Sequence, residues 1–351
     1  MHFKGEEAKR AMEEAREIIA REIGAKYKEI IFTGSGTEAN NFVLKGLFFA
    51  NKGANTGKNH IIISKIEHDC VLNSCKWLEK QGAQITYIDV DKQGFVNLEN
   101  LKKAITDKTI VVSVIHGNNE IGTIQDLESI GKICHEKNVL LHTDACQSFM
   151  KTPINVKKQN IDLMTLNAHK IHGPKGVGAL YIKEGIKITP LLHGGGQEFK
   201  LRSSTENVPG IVGFAKAVKM IGSSDIKKIE KLRNKLIQGI LKIPNTKLNG
   251  PSIESGKRLC NNINVSFMNI EGEAVGGYLN VKGISSSTGS ACSSKSLESS
   301  HVLLALGLSP IMANSSIRFS LGKYNTEEEI DYVLEVLPGI VEKLRKISPI
   351  K

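Results

Sequence analysis

The sequence predicts an α/β fold: a large domain whose mostly parallel central sheet is covered by helices on both faces, followed by a small C-terminal α/β domain. Short apolar, β-branched runs alternate along the chain with segments of helical periodicity. Within those runs polar and apolar residues do not alternate, as expected of strands buried on both faces. The runs end repeatedly in polar residues: Thr33 with Gly34, Glu67 with His68, Asn118 with Asn119, Asp144, and His169 with Lys170. In α/β sheets that carboxyl edge is where ligands bind.

Residues 5–24 read as an amphipathic helix, with Ala8, Ala11, Met12, Ala15, Ile18, Ile19 and Ile23 on or near one face. Residues 29–33 are a short strand, followed by the turn from Gly34 to Glu38 and a helix through Ala50. Strand 60–64 leads through Glu67 and His68 into a helix to about Lys80; strand 84–88 and helix 98–105 follow. Strand 109–115, helix 127–136 and a strand from 139 that ends at Asp144 complete the next repeat of the pattern. The apolar run Ile161, Leu163, Met164, Leu166 ends in Asn-Ala-His-Lys; after a Gly- and Pro-rich segment comes strand 177–182. Residues 193–207 are too polar and glycine-rich for a core, and helices 208–221 and 225–242 follow. Prolines, glycines, Asn and Ser in 244–256 mark a boundary, which gives domains 1–243 and 244–351, with residues 1–24 a leading helix near the small domain. The small domain reads as strand 263–267, helix 271–280, a Ser- and Gly-rich loop 283–300 containing Cys292, helix 302–306, strand 316–320 and a closing helix 326–344. Glu327 to Glu329 sit in the first turn of that last helix, where acidic residues suit the positive helix end.

Composition narrows the function classes. The 351 residues carry a formal net charge of +11, yet the excess is scattered lysine with no arginine-rich or aromatic-interleaved patch, so no direct nucleic-acid partner is expected. The cysteines at 70, 75, 134, 146, 260 and 292 form no CxxC pair, so no structural zinc site or other metal is expected. No signal peptide or membrane-crossing run is visible, and the expectation is a cytoplasmic enzyme with mostly reduced thiols.

The polar strand ends fit a pyridoxal phosphate site. That cofactor needs an amine for its aldehyde, a cradle for its phosphate and an acid opposite its pyridine nitrogen. Lys170 offers the amine, if desolvation or a neighbouring cation lowers its pKa. The turn at Gly36 and Thr37 opens a helix whose N–H groups suit a phosphate. Asp144 offers the acid, and His68 can stack on the ring. Taken singly, Lys170 reads equally as a surface lysine, Asp144 as a helix cap and His68 as a structural histidine. Cys292, in a serine-rich loop, is a poor core residue and a candidate nucleophile. Arg318 is a candidate fork for a substrate carboxylate.

Longer motifs run almost end to end: FTGSGTEANN, HGNNEIG, DACQ, NAHKIHGPKGVG, HGGGQE, RSSTENVPGIVG, SSSTGSACSS and SSIRFSLG. On these the chain resembles the cysteine desulfurases of the NifS/IscS type, pyridoxal-phosphate enzymes of the class V aminotransferase fold (fold type I of the pyridoxal-phosphate-dependent transferases). The resemblance implies that Lys170 holds the cofactor and moves the substrate's α proton. It implies that Asp144 pairs with the pyridine nitrogen, Gln147 with the phenolic oxygen, and His68 with the ring face and a proton. Gly36, Thr37, Asn167 and His169 would hold the phosphate, joined by Thr205 of a neighbouring subunit, which implies a homodimer. Asn119 and Arg318 would grip the carboxylate of L-cysteine. Cys292 would take the sulfur as a persulfide, releasing L-alanine, and pass it to an acceptor such as an iron–sulfur scaffold or a tRNA-thiolation enzyme.

The chain departs from that pattern in a few places. The family's Leu-Asp-Asn-Asn-Ala-Thr-Thr stretch before the first long helix is missing. Asn167 stands where serine is usual, Ser204 where glycine is usual, and Cys146 where a small or hydroxyl residue is usual. The alternatives to a desulfurase are a truncated, weakly active or non-catalytic partner in a sulfur-transfer complex, a selenocysteine lyase, or an aminotransferase. The cysteine in its long loop speaks against the last.

Overall fold

The computed structural model describes residues 2–288 and 299–349, and the chain divides into two units. The first comprises Met1–Asp89, Val96–Gly117 and Gln125–Ile221; the second comprises Val90–Phe95, Asn118–Ile124 and Gly222–Lys351. In chain order the first holds α1 (Phe3–Ile23), β1 (Ile30–Thr33), α2 (Gly36–Gly53), β2 (His60–Ser64), α3 (Asp69–Glu79), β3 (Gln84–Ile88), α4 (Leu98–Ala104), β4 (Thr109–Ser113), α5 (Leu127–Glu136), β5 (Leu140–Asp144), β6 (Leu163–Asn167), β7 (Gly178–Ile182) and α6 (Val208–Met220). The second holds α7 (Ser223–Ile240), β8 (Thr246–Leu248), β9 (Asn262–Phe267), α8 (Gly272–Val281), α9 (His301–Ala305), α10 (Pro310–Asn314), β10 (Ser316–Ser320) and α11 (Glu327–Ile347).

The first unit is built on a seven-stranded sheet in the order β1-β7-β6-β5-β4-β2-β3. The pairs from β6 to β3 are all parallel. Every residue of β2, β4 and β6 is buried, the physical counterpart of their unbroken apolar pattern. β7 runs antiparallel to both β6 and β1. The segment joining β6 to β7 is too short for the helical crossover that a parallel return requires. The sheet is therefore mixed at this end. Two reversals restore direction, so Thr33 and Asn167 both register on Gly178 and their strands finish at the same edge. Phe42, Val43 and Leu47 of α2 pack with Ile61 and Ile63 of β2, Val71 and Leu78 of α3, and Leu180 of β7 in one buried cluster.

α1 starts at His2, whose ring accepts the Gly5 N–H, and stops at Gly24, which takes the left-handed conformation (φ 73°) that closes a helix. It buries Ala15, Arg16, Ile19, Ala20 and Ile23 and lies against α6.

The second unit has an antiparallel sheet in the order β10-β9-β8. Leu232, Leu236 and Ile240 of α7, Val275 and Leu279 of α8, and Leu337, Val341 and Leu344 of α11 pack with Ile263, Val265, Phe267 and Ile317 of that sheet. α11 opens with a reciprocal cap: Thr326 Oγ1 accepts the Glu329 N–H, and Glu329 accepts the Thr326 N–H. β8 and α10 lie within stretches that read as loop. Each is too short to show a period, and β8 is defined by its pairing with β9.

Candidate active site

Around the carboxyl edge of the first sheet lie Gly36 and Thr37 at the start of α2, His68 at the start of α3, Asp144 at the end of β5, Asn167 at the end of β6, and His169 and Lys170 in the turn that follows. Asp144 ends β5 and is 4% exposed. Its Oδ2 accepts Asn40 Nδ2 at 2.7 Å and its Oδ1 accepts the Cys146 N–H at 2.9 Å. Two donors thus fix the carboxylate plane while lone pairs remain for a third. Asn40 was not singled out from sequence; one helical turn after Gly36 on α2, it is fully buried, and its Oδ1 has no hydrogen-bond partner among the described residues.

Ser35 caps α2, its Oγ accepting the Glu38 N–H at 3.1 Å. The N–H groups of Gly36 and Thr37, in the helix's first turn, have no intrahelical acceptor. Gly36 cannot carry a side chain: a Cβ there would lie 2.5 Å from Cys146 Sγ. Gly178 is needed for the same turn, because a Cβ there would meet the Ser35 carbonyl carbon and Thr33 Oγ1 at 3.0 Å. Asn167 ends β6, buried, and its Oδ1 accepts the Lys170 N–H at 3.3 Å. His169 and Lys170 sit in a single 3-10 turn and are exposed. The desolvation expected for Lys170 is therefore not supplied by the residues around it in this unit. Partial desolvation of its ring, with the charges of Lys170, Lys175 and Lys151, holds His169 below the usual histidine range although the residue as a whole is exposed. Those cations make the edge attractive to an anion.

His68 caps α3, and its Nδ1 accepts the Cys70 N–H at 3.2 Å. The neutral ring then carries its proton at Nε2. Gln147 lies in the turn after β5, half-buried. Thr205 is exposed in the loop before α6, next to Ser204, whose φ of 152° is a backbone state that side chains disfavour. Cys292 lies outside the described residues. Asn119 and Arg318 belong to the second unit, where Arg318 Nη1 donates to the Asn119 carbonyl at 3.1 Å. Arg318 Nε is buried without a hydrogen-bond partner among the described residues, a donor suited to a carboxylate. Asn262 Nδ2 fixes the same turn, donating to the carbonyls of Asn119 and Glu120.

These donors fit pyridoxal phosphate: an amine, a fixed carboxylate for a protonated ring nitrogen, and free N–H groups at a helix start for a phosphate. Among the described residues no three His, Cys, Asp or Glu side chains gather as a metal site, and no helix is long and apolar enough to cross a membrane.

The layer beneath the edge is polar and buried. Ser113 Oγ meets His142 Nδ1 at 2.8 Å, and His142 Nε2 meets Thr165 Oγ1 at 3.1 Å. Burial holds His142 down at about 4. Glu67, beside His68, ties β2 to the end of β4: its Oε1 accepts Ser64 Oγ at 2.5 Å and the Ile115 N–H at 2.7 Å. Complete burial, with the charge of Asp144 adding to it, pushes Glu67 up to about 8.

A raised carboxyl pKa means that the folded state keeps a proton the unfolded state has released, so stability falls as pH rises from about 4.5 to 8. His142 acts oppositely, losing stability as pH falls from 6.5 toward 4. Comparing Glu67→Gln with wild type cancels the histidine. The variant's advantage in urea unfolding is expected to grow by about 3 kcal/mol between pH 5 and pH 8. A constant difference would show Glu67 ionised in the fold.

The aminotransferase class-V family pattern matches residues 1–333. The cysteine desulfurase IscS of Clostridium botulinum is 51% identical over 349 residues, spanning 98% of this chain and 87% of that protein. Among solved structures, a NifS-like protein matches with a TM-score of 0.89 at 40% identity, covering 98% of this chain and 91% of that one. A structure of SspA in complex with cysteine matches with a TM-score of 0.81 at 37% identity, covering 93% of this chain and 90% of that one.

Proposed function

The chain belongs to the class-V aminotransferase family and, within it, to the cysteine desulfurases, and from that premise we propose how its own residues divide the reaction. The enzyme converts L-cysteine to L-alanine and keeps the sulfur as a persulfide. Pyridoxal phosphate, when bound, supplies a protonated ring that takes up the electron pair released at the substrate's α carbon.

Gly36 and Thr37 N–H groups, with Asn167 and His169, hold the phosphate, joined by Thr205 of a second copy in a homodimer. Asp144 keeps the pyridine nitrogen protonated, which its fixed, buried carboxylate favours over a neutral ring. Gln147 donates to the phenolic oxygen. Lys170 Nζ would hold the cofactor's aldehyde carbon and would take and return the α proton. His68 covers the ring and handles a proton at Nε2. Asn119 and Arg318 bind the carboxylate of L-cysteine.

Cys292, as thiolate, attacks the substrate sulfur: an S–S bond forms, the C–S bond breaks with its electron pair left on the β carbon, which takes up a proton, and the three-carbon fragment leaves as alanine. Burial pushes the Cys70 and Cys134 thiols up to about 12, and raises Cys75 and Cys146 as well, so these four stay protonated and inert. The persulfide then passes to an acceptor protein that builds iron–sulfur clusters or thiolates tRNA.

The observation that carries the assignment is Asp144, fixed by Asn40 and Cys146 at the edge where Asn167, Lys170 and Gly36 also end. After incubation with pyridoxal phosphate and L-cysteine, mass spectrometry is expected to find one added sulfur on the peptide containing Cys292, with alanine released. Unmodified Cys292 together with no alanine would sink the assignment.

A further inference from the structure

The Gly34–Glu38 turn is tied to a loop that is itself strained. Glu198, Phe199 and Lys200 are three successive non-glycine residues with left-handed backbone (φ 47°, 58° and 67°). Such a run persists only where its surroundings over-determine it. Here the determinant is Arg16 of α1. Its guanidinium forks the Glu198 carboxylate, Nη1 to Oε2 at 2.7 Å and Nη2 to Oε1 at 2.8 Å, and both side chains are buried. The same guanidinium donates to the Ile30 carbonyl and lies between the rings of Phe32 and Phe199, 4.7 and 4.9 Å from their centroids. Glu198 Oε2 also accepts the Phe32 N–H at 2.7 Å. One buried arginine thus fastens the strained turn to β1.

Two residues past that turn, Arg202 forks Glu38 at 2.9 and 3.3 Å, and Glu38 Oε2 accepts the Gly34 N–H at 2.8 Å. Glu38 is next to Thr37, at the start of α2. Three contacts, the first two joined by the chain from Glu198 to Arg202, therefore run from Arg16 to the backbone that presents the Gly36 and Thr37 N–H groups.

We infer that Arg16 and Glu198 are positioning residues for the phosphate end of the cofactor: their buried fork holds the strained 198–200 turn so that Arg202 and Glu38 fix the Gly34–Thr37 cradle. The inference rests on the reading of that cradle as a phosphate site. Neither residue touches the cofactor. A guanidinium fork is required, because an ammonium cannot hold both carboxylate oxygens in one plane.

The test is a pair of absorbance titrations of the cofactor-free chain, with pyridoxal 5′-phosphate and with pyridoxal, which lacks the phosphate. The wild type is expected to prefer the phosphorylated form. Arg16→Lys is expected to reduce that preference about tenfold, or 1.4 kcal/mol, with pyridoxal affinity changed less than twofold. Adding Lys200→Gly, which removes a side chain from a left-handed position, is expected to restore most of the preference, because a glycine turn needs no latch. If Arg16→Lys does not fold, Glu198→Gln, which keeps the shape and weakens the fork, is expected to reduce the preference threefold or more. An unchanged preference in the folded variant, or an equal loss for both compounds, overturns the inference. A wild type that does not distinguish the two compounds overturns the phosphate reading itself, and this inference with it.

Discussion

Replacing Lys170 by alanine is expected to remove the visible absorption band of the bound cofactor and to lower alanine release by about 10⁴-fold or more. Two functions leave together: the covalent hold on the aldehyde and the base that moves the α proton. The backbone geometry should survive, because Asn167 Oδ1 accepts the Lys170 backbone N–H rather than its side chain. The exposed Lys170 side chain also makes no buried ion pair among the described residues whose loss would unfold the strand end. Thermal melting of the cofactor-free variant is therefore expected to match wild type within a few degrees. Lys151 and Lys175 are close enough to act on the charge of His169, which makes them the natural substitutes if the assignment is wrong. A band that persists in Lys170→Ala would move the cofactor to one of them.

Asp144→Asn is expected to fold and to lose about 10³-fold in kcat with little change in KM. The new amide oxygen can still accept the Cys146 N–H. The new amide nitrogen would face Asn40 Nδ2, donor against donor. A flip of the Asn40 amide turns Oδ1, unpartnered among the described residues, toward the new amide, at the cost of the Asn40 Nδ2 bond to Cys70 Sγ. The penalty then falls on chemistry, since a neutral amide cannot keep a pyridine nitrogen protonated. Steady-state kinetics and a melting curve on the same preparation separate the two effects. A kcat within tenfold of wild type would remove Asp144 from the proposed role.

Much of the fold was legible because its strands are buried on both faces. Residues 60–64, 84–88 and 316–320 read as strands with the boundaries the structure has: the first is an Ile run buried throughout, and the other two are short β-branched and aromatic stretches that are only partly buried. The antiparallel course of β7 was not legible as such, although the short Gly- and Pro-rich link before it carries the reason. β8 and α10 were missed because neither is long enough to show a period. At the site, Lys170, Asp144, His68 and the Gly36–Thr37 turn stood out as polar residues at strand ends. Asn40 did not, because a polar residue inside a helix usually faces water; here it faces Asp144, 104 positions away. Arg16 was not singled out within the amphipathic helix over 5–24, since its partner Glu198 lies 182 positions along the chain.

The sequence by itself determined the kind of fold, the order of most of its elements and the polar residue types at the strand ends, because periodicity and strand-end chemistry are local properties of the chain. Only the tertiary structure decided what holds those residues still: the donors on Asp144, the burial of Glu67 between β2 and the end of β4, and the guanidinium that fastens a strained turn near the start of α2. Those depend on which atoms from distant segments are brought together out of water, where a hydrogen bond or an ion pair becomes strong enough to fix a position. No window of residues along the chain contains that information.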